Sequence, residues 1–376
     1  MKIEKFKIEE WMNAYEHLAK YDMTTTCINS FSLKDFFNFT GKDLNEIIQK
    51  PLDYGDITGS LRLKSNAANL YENKTADNIS VTLGAIGANS LVFLSLIERD
   101  DEIVSIIPSY QQHYSIPEQL GANVKFLRLK PELNWHIDFE ELEQTVTPKT
   151  KIIVLANPNN PTGAVLSDEE LTKLADIAQK NNAYILCDEV YRFLDHTLTN
   201  NYKKSIADIY EKGISTYSMS KTFSLAGIRI GFVCANEKII KEINHQRQYN
   251  TISISAIDDY IACIALENKE KIILRNKQII LEGKKILTDL IKNEQRLSIS
   301  NLEAGTTAFI VYDDERNSFD FCLDLFNDTG VLLLPGDTME YPKHFRLGFC
   351  GERNNFKEGL EKFSSWLKIK NFQNTY

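Results

Sequence analysis

The segment that most constrains this chain is Lys151-Ile152-Ile153-Val154-Leu155-Ala156, an almost continuous apolar run that ends at a turn with two prolines. A short, β-branched run without polar alternation fits a strand covered on both faces. Residues 79–83, 102–108, 123–129, 183–188 and 214–218 repeat the pattern. Between them lie segments of helical character, over 88–97 and 111–121 and in a helix opening at Ser167. Ser167 with Glu170 three residues on is a capping box, so that helix has a defined start. Buried strands alternating with helices predict an α/β protein, a three-layer, mostly parallel sheet.

After Cys234 the pattern changes to long helical stretches, over about 237–293. The remaining residues mix short strands (309–312, 331–334, 345–349) with helices, which reads as a second, smaller α+β domain. The expected division is 46–285 for the large domain, with 1–45 plus 286–376 forming the small one. A chain of 376 residues is long for a single core and suits two domains.

Composition removes several function classes. A net charge of -9 with no basic block gives no electrostatic reason to bind nucleic acid or an anionic membrane. The N-terminal segment lacks the apolar stretch of a signal peptide, and no later run of 18 or more apolar residues suggests a membrane span. Six scattered cysteines with no CxxC pair argue against a disulfide framework or a metal site, and fit a reducing, cytoplasmic setting. The glycine-rich signatures of nucleotide-binding loops are absent too.

Open parallel sheets bind ligands beyond the carboxyl ends of their strands, so the residues just after each strand carry the chemistry. After 151–156 comes Asn157-Pro158-Asn159-Asn160-Pro161-Thr162-Gly163, a stiff bend expected to aim its asparagine amides above the sheet. Asp188-Glu189-Val190-Tyr191 ends the next strand, where a carboxylate can cap a helix or hold a cationic ligand atom. Ser218-Met219-Ser220-Lys221 follows a third strand, and Arg229 comes eight residues later between Gly227 and Gly231, read as a strand residue suited to a phosphate. An isolated lysine is normally solvated surface, but one beyond a buried strand suits Schiff-base chemistry.

In this order the strings resemble the fold-type I pyridoxal-phosphate enzymes, the aspartate aminotransferase superfamily of class I and II aminotransferases. The resemblance runs from about Tyr54 to the C-terminal helix. It implies pyridoxal 5'-phosphate as cofactor, with Lys221 as the Schiff-base lysine and Asp188 as partner of the protonated ring nitrogen. Asn160 and Tyr191 match the donors to the phenolic oxygen, and Ser218 and Arg229 match phosphate ligands. Tyr110, in Pro108-Ser109-Tyr110, matches the aromatic stacked on the cofactor ring. Gly84-Ala85-Ile86 matches the phosphate cup, where backbone N–H groups at a helix start hold the anion. There the sequence departs from the family, which often has Ser or Thr at the position of Ile86 and Glu at that of Gly87. A weaker contact from Ala85 and Ile86 follows. Arg346, in Phe345-Arg346-Leu347-Gly348-Phe349, matches the arginine that clamps the substrate α-carboxylate, with Asn160 beside it. Tyr54 matches a tyrosine that reaches the phosphate of the neighbouring subunit, so a homodimer with shared active sites is implied.

The resemblance further implies an aminotransferase moving an amino group between an amino acid and a 2-oxo acid. Trp11, the 24–27 stretch and residues 249–253 also look like the capreomycidine-synthase branch, which makes β-elimination or cyclisation the alternative, together with C–S lyase activity. A second arginine for a dicarboxylate is not obvious. Arg247 is possible, though its helical setting favours a solvated side chain. A non-catalytic regulator that binds the cofactor is disfavoured, since only about 50 residues precede the match and they carry no basic helix-turn-helix pattern.

Overall fold

The computed structural model describes residues 2–199, 202–300 and 302–373. Its large sheet has seven strands: β1 (Ile79–Leu83), β2 (Glu102–Ile107), β3 (Asn123–Arg128), β4 (Thr150–Ala156), β5 (Tyr184–Asp188), β6 (Gly213–Ser218) and β7 (Ile230–Cys234). They lie in the order β1-β7-β6-β5-β4-β2-β3. All neighbours are parallel except β7, which pairs antiparallel with both β1 and β6. The mostly parallel α/β sheet is as expected, with β7 as the element the strand pattern did not separate from the residues around it.

Why these segments become strands is visible in their burial. Ile152, Ile153, Val154 and Leu155 are all buried, two on each face, because helices cover both sides. Ile153 and Leu155 pack with Leu171 and Leu174 of the capped helix Asp168–Lys180, whereas Ile152 and Val154 pack with Leu91 and Val92 of the helix Gly84–Leu96. The predicted capping box is present, with Ser167 Oγ accepting from Glu170 N and Glu170 Oε2 from Ser167 N.

A smaller sheet follows: β8 (Leu297–Ile299), β9 (Thr307–Tyr312), β10 (Leu334–Pro335) and β11 (His344–Gly348), in the order β10-β11-β9-β8, all antiparallel. Tyr21–Asp22 pairs in parallel with Val331–Leu332, tying the N-terminal segment to this part of the molecule. Ile8, Trp11, Tyr21 and Met23 share a core with Ile310, Leu332, Phe345 and Phe363. Phe36 and Phe37 instead join Leu63, Tyr217 and Phe232 beneath the large sheet. The helix Lys269–Lys292 runs from one core to the other, placing Ile272 and Ile273 in the second and Ile280 and Leu287 in the first. The chain before residue 30 and strand β11 are thereby held over the carboxyl ends of β4, β5 and β6.

Candidate active site

A cavity of about 330 Å³ opens at those strand ends. Ala85, Ile86, Tyr110, Asn160, Asp188, Tyr191, Ser218, Lys221, Arg229 and Arg346 all line it, so ten of the residues singled out in the sequence share one space. Tyr54 does not; it is 82% exposed and bridges to Ser255 on the outer surface of the chain.

Lys221 projects its Nζ to Thr26 Oγ1 at 2.5 Å and lies 3.4 Å from Cys27 Sγ. Both partners come from the N-terminal segment, nearly two hundred residues away. The sequence noted the 24–27 stretch but gave no reason to set it against the lysine.

Asp188 ends β5 in a buried network. Its Oδ2 accepts from Asn89 Nδ2 at 3.1 Å and lies 3.4 Å from His113 Nε2, while Oδ1 accepts from Val190 N. Asn89 is fixed in turn by Thr216 Oγ1, which donates to its Oδ1 at 2.7 Å, and His113 Nδ1 pairs with Ser109 Oγ at 2.7 Å. Sequence reasoning missed Asn89 and His113, which lie on helices and carry no motif. A backbone of fixed donors around one carboxylate is what a buried anion needs in a low-dielectric site.

The proline-rich turn corrects one expectation. Asn157 Oδ1 accepts from Leu166 N, and Asn159 accepts from Thr162 N and Oγ1 while donating to Pro108 O. These two amides brace the turn itself. Only Asn160 faces the cavity, where Arg346 Nη1 donates to its Oδ1 at 3.3 Å.

Arg229 is corrected as well. It is not a strand residue but sits at φ +52°, in the left-handed region, one position before β7. That turn carries its guanidinium across Gly84, where a Cβ would lie 2.8 Å from Nη2. A Cβ on Gly231 would meet Gly84 C at 2.4 Å and Ala85 N at 2.7 Å, so only glycine lets β7 approach the start of the Gly84–Leu96 helix this closely. Ser218 Oγ donates to Ser220 Oγ, and both line the same end of the cavity. Ser220 was present in the lysine motif but went unassigned. Backbone N–H groups at a helix start, two hydroxyls and an arginine form a donor set that fits a phosphate monoester.

Arg346 lies on β11 and is only 4% exposed. Nη2 donates to Thr24 O at 2.9 Å, and Nε is buried without a partner. Burial pushes its pKa down, with Tyr191 and Tyr110 nearby acting in the opposite direction. No carboxylate of the described residues pairs with it, which leaves a charged fork facing the cavity. Tyr110 donates its hydroxyl to Glu9 Oε1 at 3.0 Å, and its ring packs on Phe6 with centroids 4.8 Å apart. Burial, with Glu9 beside it, pushes the Tyr110 phenol up.

Arg247 is neither solvated nor at the cavity. It is 1% exposed, with Nε on Val81 O and Nη1 on the carbonyls of Thr251 and Ile252. It braces a loop. Among the described residues no cluster of three or more His, Cys, Asp or Glu is arranged to hold a metal ion, and no helix is long and apolar enough to cross a membrane.

The sequence model for aminotransferase class I and II matches residues 39–363. The chain belongs to that family. It is 26% identical to an aspartate aminotransferase of Sulfolobus acidocaldarius over 353 residues, covering 87% of each chain. It is 24% identical to a capreomycidine synthase of Streptomyces vinaceus, covering 96% of this chain and 93% of that one. Among solved structures, a PLP-dependent aminotransferase from Streptococcus suis superposes with a TM-score of 0.94 at 39% identity, covering 98% and 99% of the two chains. The cofactor of this class I/II aminotransferase is pyridoxal 5'-phosphate, and the cavity has the donor sets that group requires.

Proposed function

We propose that the protein transfers an amino group between an amino acid and a 2-oxo acid, with Lys221 as the residue that carries the cofactor. The observation that carries this reading is the convergence of Lys221, Asp188 and Arg346, which no carboxylate of the described residues pairs, on one cavity. Pyridoxal 5'-phosphate supplies an aldehyde that links to amines and a ring that accepts the electron pair left when a bond to an amino acid's α-carbon breaks. Ser218, Ser220, Arg229 and the backbone of Ala85 and Ile86 would hold its phosphate, Tyr110 would lie against its ring, and Asp188 would keep a proton on the ring nitrogen. Asn160 and Tyr191 would hold its phenolic oxygen.

Arg346 binds the α-carboxylate through its planar fork, which Asn160 Oδ1 and Thr24 O steady by accepting from Nη1 and Nη2. The Lys221 amine, once free, moves the proton from the α-carbon, which general-base geometry allows only if Thr26 releases it. Thr24 to Cys27 and the N-terminal helix line the cavity on the side facing Lys221.

The reading extends to a homodimer. Tyr54, Leu52 and Ile57 stand exposed near Tyr249 and Ile252, an apolar surface brought together by the Tyr54–Ser255 bridge. Tyr54 would reach the cavity of a second copy. Of the division into 46–285 and 1–45 plus 286–376, the packing of Ile8 to Ile28 supports the small-domain assignment, whereas Phe36 and Phe37 pack with the large sheet; the six free cysteines, five of them buried, suit the cytoplasm.

The test is mass mapping after borohydride reduction, followed by a half-reaction screen. Label on Lys221 and conversion of the cofactor to its amine form by an amino acid support transamination. No label, or label elsewhere, sinks the reading. The likeness to capreomycidine synthase supports the second reading, elimination or cyclisation, in which ammonia or a ring product appears and the amine form of the cofactor does not.

A further inference from the structure

Asn89 and Gln112 are amide side chains in the cavity wall that take no part in holding the α-carboxylate. They are 1% and 3% exposed. Asn89 belongs to the helix Gly84–Leu96 that starts at the cup, and Gln112 opens the helix Gln112–Leu120 just after Tyr110. Ile86 brings no hydroxyl to the cup, so the phosphate contact there depends on how its backbone is held.

The two amides form a hydrogen-bonded chain with fixed ends. Gln112 Nε2 donates to Ile86 O at 2.7 Å and to Ser90 Oγ at 2.8 Å, and Ser90 Oγ donates to the same Ile86 O at 2.9 Å. Gln112 Oε1 accepts from Asn89 Nδ2 at 3.3 Å, and Nδ2 also donates to Asp188 Oδ2 at 3.1 Å. On its other side Asn89 Oδ1 accepts from Thr216 Oγ1 at 2.7 Å. A carbonyl and an ionised carboxylate only accept, so Ile86 O at one end and Asp188 at the other leave each amide a single orientation.

Asp188 is gripped on both oxygens, Oδ1 by Val190 N at 3.2 Å and Oδ2 by Asn89. Such a carboxylate keeps its plane before any ligand arrives, and a fixed acceptor needs no rearrangement when charge develops on the group it faces. Packing gives no reason for the amides, since an apolar pair of the same size would fill the space without their desolvation cost.

We infer that Asn89 and Gln112 are positioning residues for the cofactor. Asn89 fixes the carboxylate that meets the ring nitrogen, Thr216 holds Asn89, and Gln112 ties the same network to the backbone that meets the phosphate. One connected set of hydrogen bonds thus receives both ends of pyridoxal 5'-phosphate. This rests on Asp188 facing the ring nitrogen, as proposed above.

The experiment loads the enzyme with pyridoxal 5'-phosphate isotopically labelled at the ring nitrogen and reads that atom by NMR. In the wild type the resonance should stand at the protonated position. Asn89→Leu should move it towards the unprotonated one and lower kcat per bound cofactor by about tenfold, with the amino-acid KM changed by less than about threefold. Thr216→Val, which keeps the volume, should act in the same direction to a lesser extent, and Thr216→Ser should restore the wild-type position. Should Asn89→Leu fail to fold, the Thr216 pair decides. Gln112→Met should weaken pyridoxal 5'-phosphate by about fivefold while pyridoxal, which has no phosphate, changes by less than about twofold. A resonance and a kcat unmoved in Asn89→Leu and in Thr216→Val overturn the role of Asn89. Equal weakening of the two cofactor forms in Gln112→Met overturns that of Gln112. A ring nitrogen already unprotonated in the wild type removes instead the assignment of Asp188.

Discussion

Arg346 on β11 donates from Nη1 to Oδ1 of Asn160 in the proline-rich turn, 3.3 Å away. That contact joins the small sheet to the carboxyl edge of the large one, and with Nη2 on Thr24 O it fixes the guanidinium in the cavity wall. Truncating a buried, hydrogen-bonded charge that meets an opposite charge costs about 2–5 kcal/mol. Arg346→Ala should therefore raise the amino-acid KM by at least about 30-fold while the cofactor absorbance is retained. Arg346→Lys keeps the charge but loses the fork, and should recover only part of that loss. Unchanged binding in both variants would show that the carboxylate sits elsewhere.

Adjacent acidic residues should separate into activity and stability. Asp188 faces the cavity, whereas Glu189 is fully buried behind it, accepting from Ser205 Oγ, Ile206 N and Ser215 Oγ beside Arg192. Burial pushes the Glu189 carboxyl up, and Arg192 is the largest influence holding it down. Glu189→Ala leaves Arg192 buried and unpaired, and should destabilise by about 3–5 kcal/mol in denaturant unfolding. Asp188→Asn should keep the unfolding free energy within about 1 kcal/mol of wild type and lower kcat by at least about a hundredfold. The reverse pattern would exchange the two roles.

Close approach of β7 to the cup is open to a single methyl group. Gly231→Ala places a Cβ 2.4 Å from Gly84 C and 2.6 Å from Tyr217 O, all backbone. Overpacking of this kind costs about 1–3 kcal/mol. The expected result is weaker retention of pyridoxal 5'-phosphate on dialysis, together with a lowered melting temperature. Full cofactor occupancy in Gly231→Ala would mean the phosphate is held without this cup.

Two histidines should shape stability against pH in opposite senses. His136, beside Glu303 and Glu170, has its pKa pushed up to about 9, chiefly by the Glu303 contact. Its contribution is full below the unfolded value near 6.5 and is lost as pH rises through about 9. His196 is buried and pushed down to about 4, so its contribution is present above 6.5 and lost as pH falls through about 4. His136→Gln should flatten the alkaline limb by on the order of 1–2 kcal/mol after solvent screening, with the acid limb unchanged. An alkaline limb identical to wild type would refute the ion-pair account.

The exposed position of Tyr54 gives a test of the dimer. Tyr54→Phe and Lys221→Ala, each impaired alone, should regain activity when refolded together, because one mixed site then holds both native residues. Sedimentation should give twice the chain mass, and Ile252→Glu should lower it by placing a charge in an apolar contact. No recovery in the mixture counts against a shared site.

The strands of the large sheet other than β7, and the residues at their carboxyl ends, were legible in the sequence. Continuous apolar runs can be buried on two faces only in a covered sheet, and the loops that follow must then meet at one edge. By itself the sequence thus determined the family, the cofactor and ten residues of the cavity. Residue chemistry alone could not separate Asn160 from Asn157 and Asn159, or Arg346 from Arg247; the family resemblance singled out Asn160 and Arg346, and the structure places both at the cavity. Tertiary packing decided those cases by supplying or withholding partners. Leu166 and Thr162 satisfy the first two asparagines and three carbonyls hold Arg247 Nε and Nη1 away from the cavity, whereas Asn160 and Arg346 meet at the cavity wall. The same holds for Asn89, His113 and Thr26. Their roles depend on contacts between segments far apart in the chain, and such contacts leave no local pattern to read.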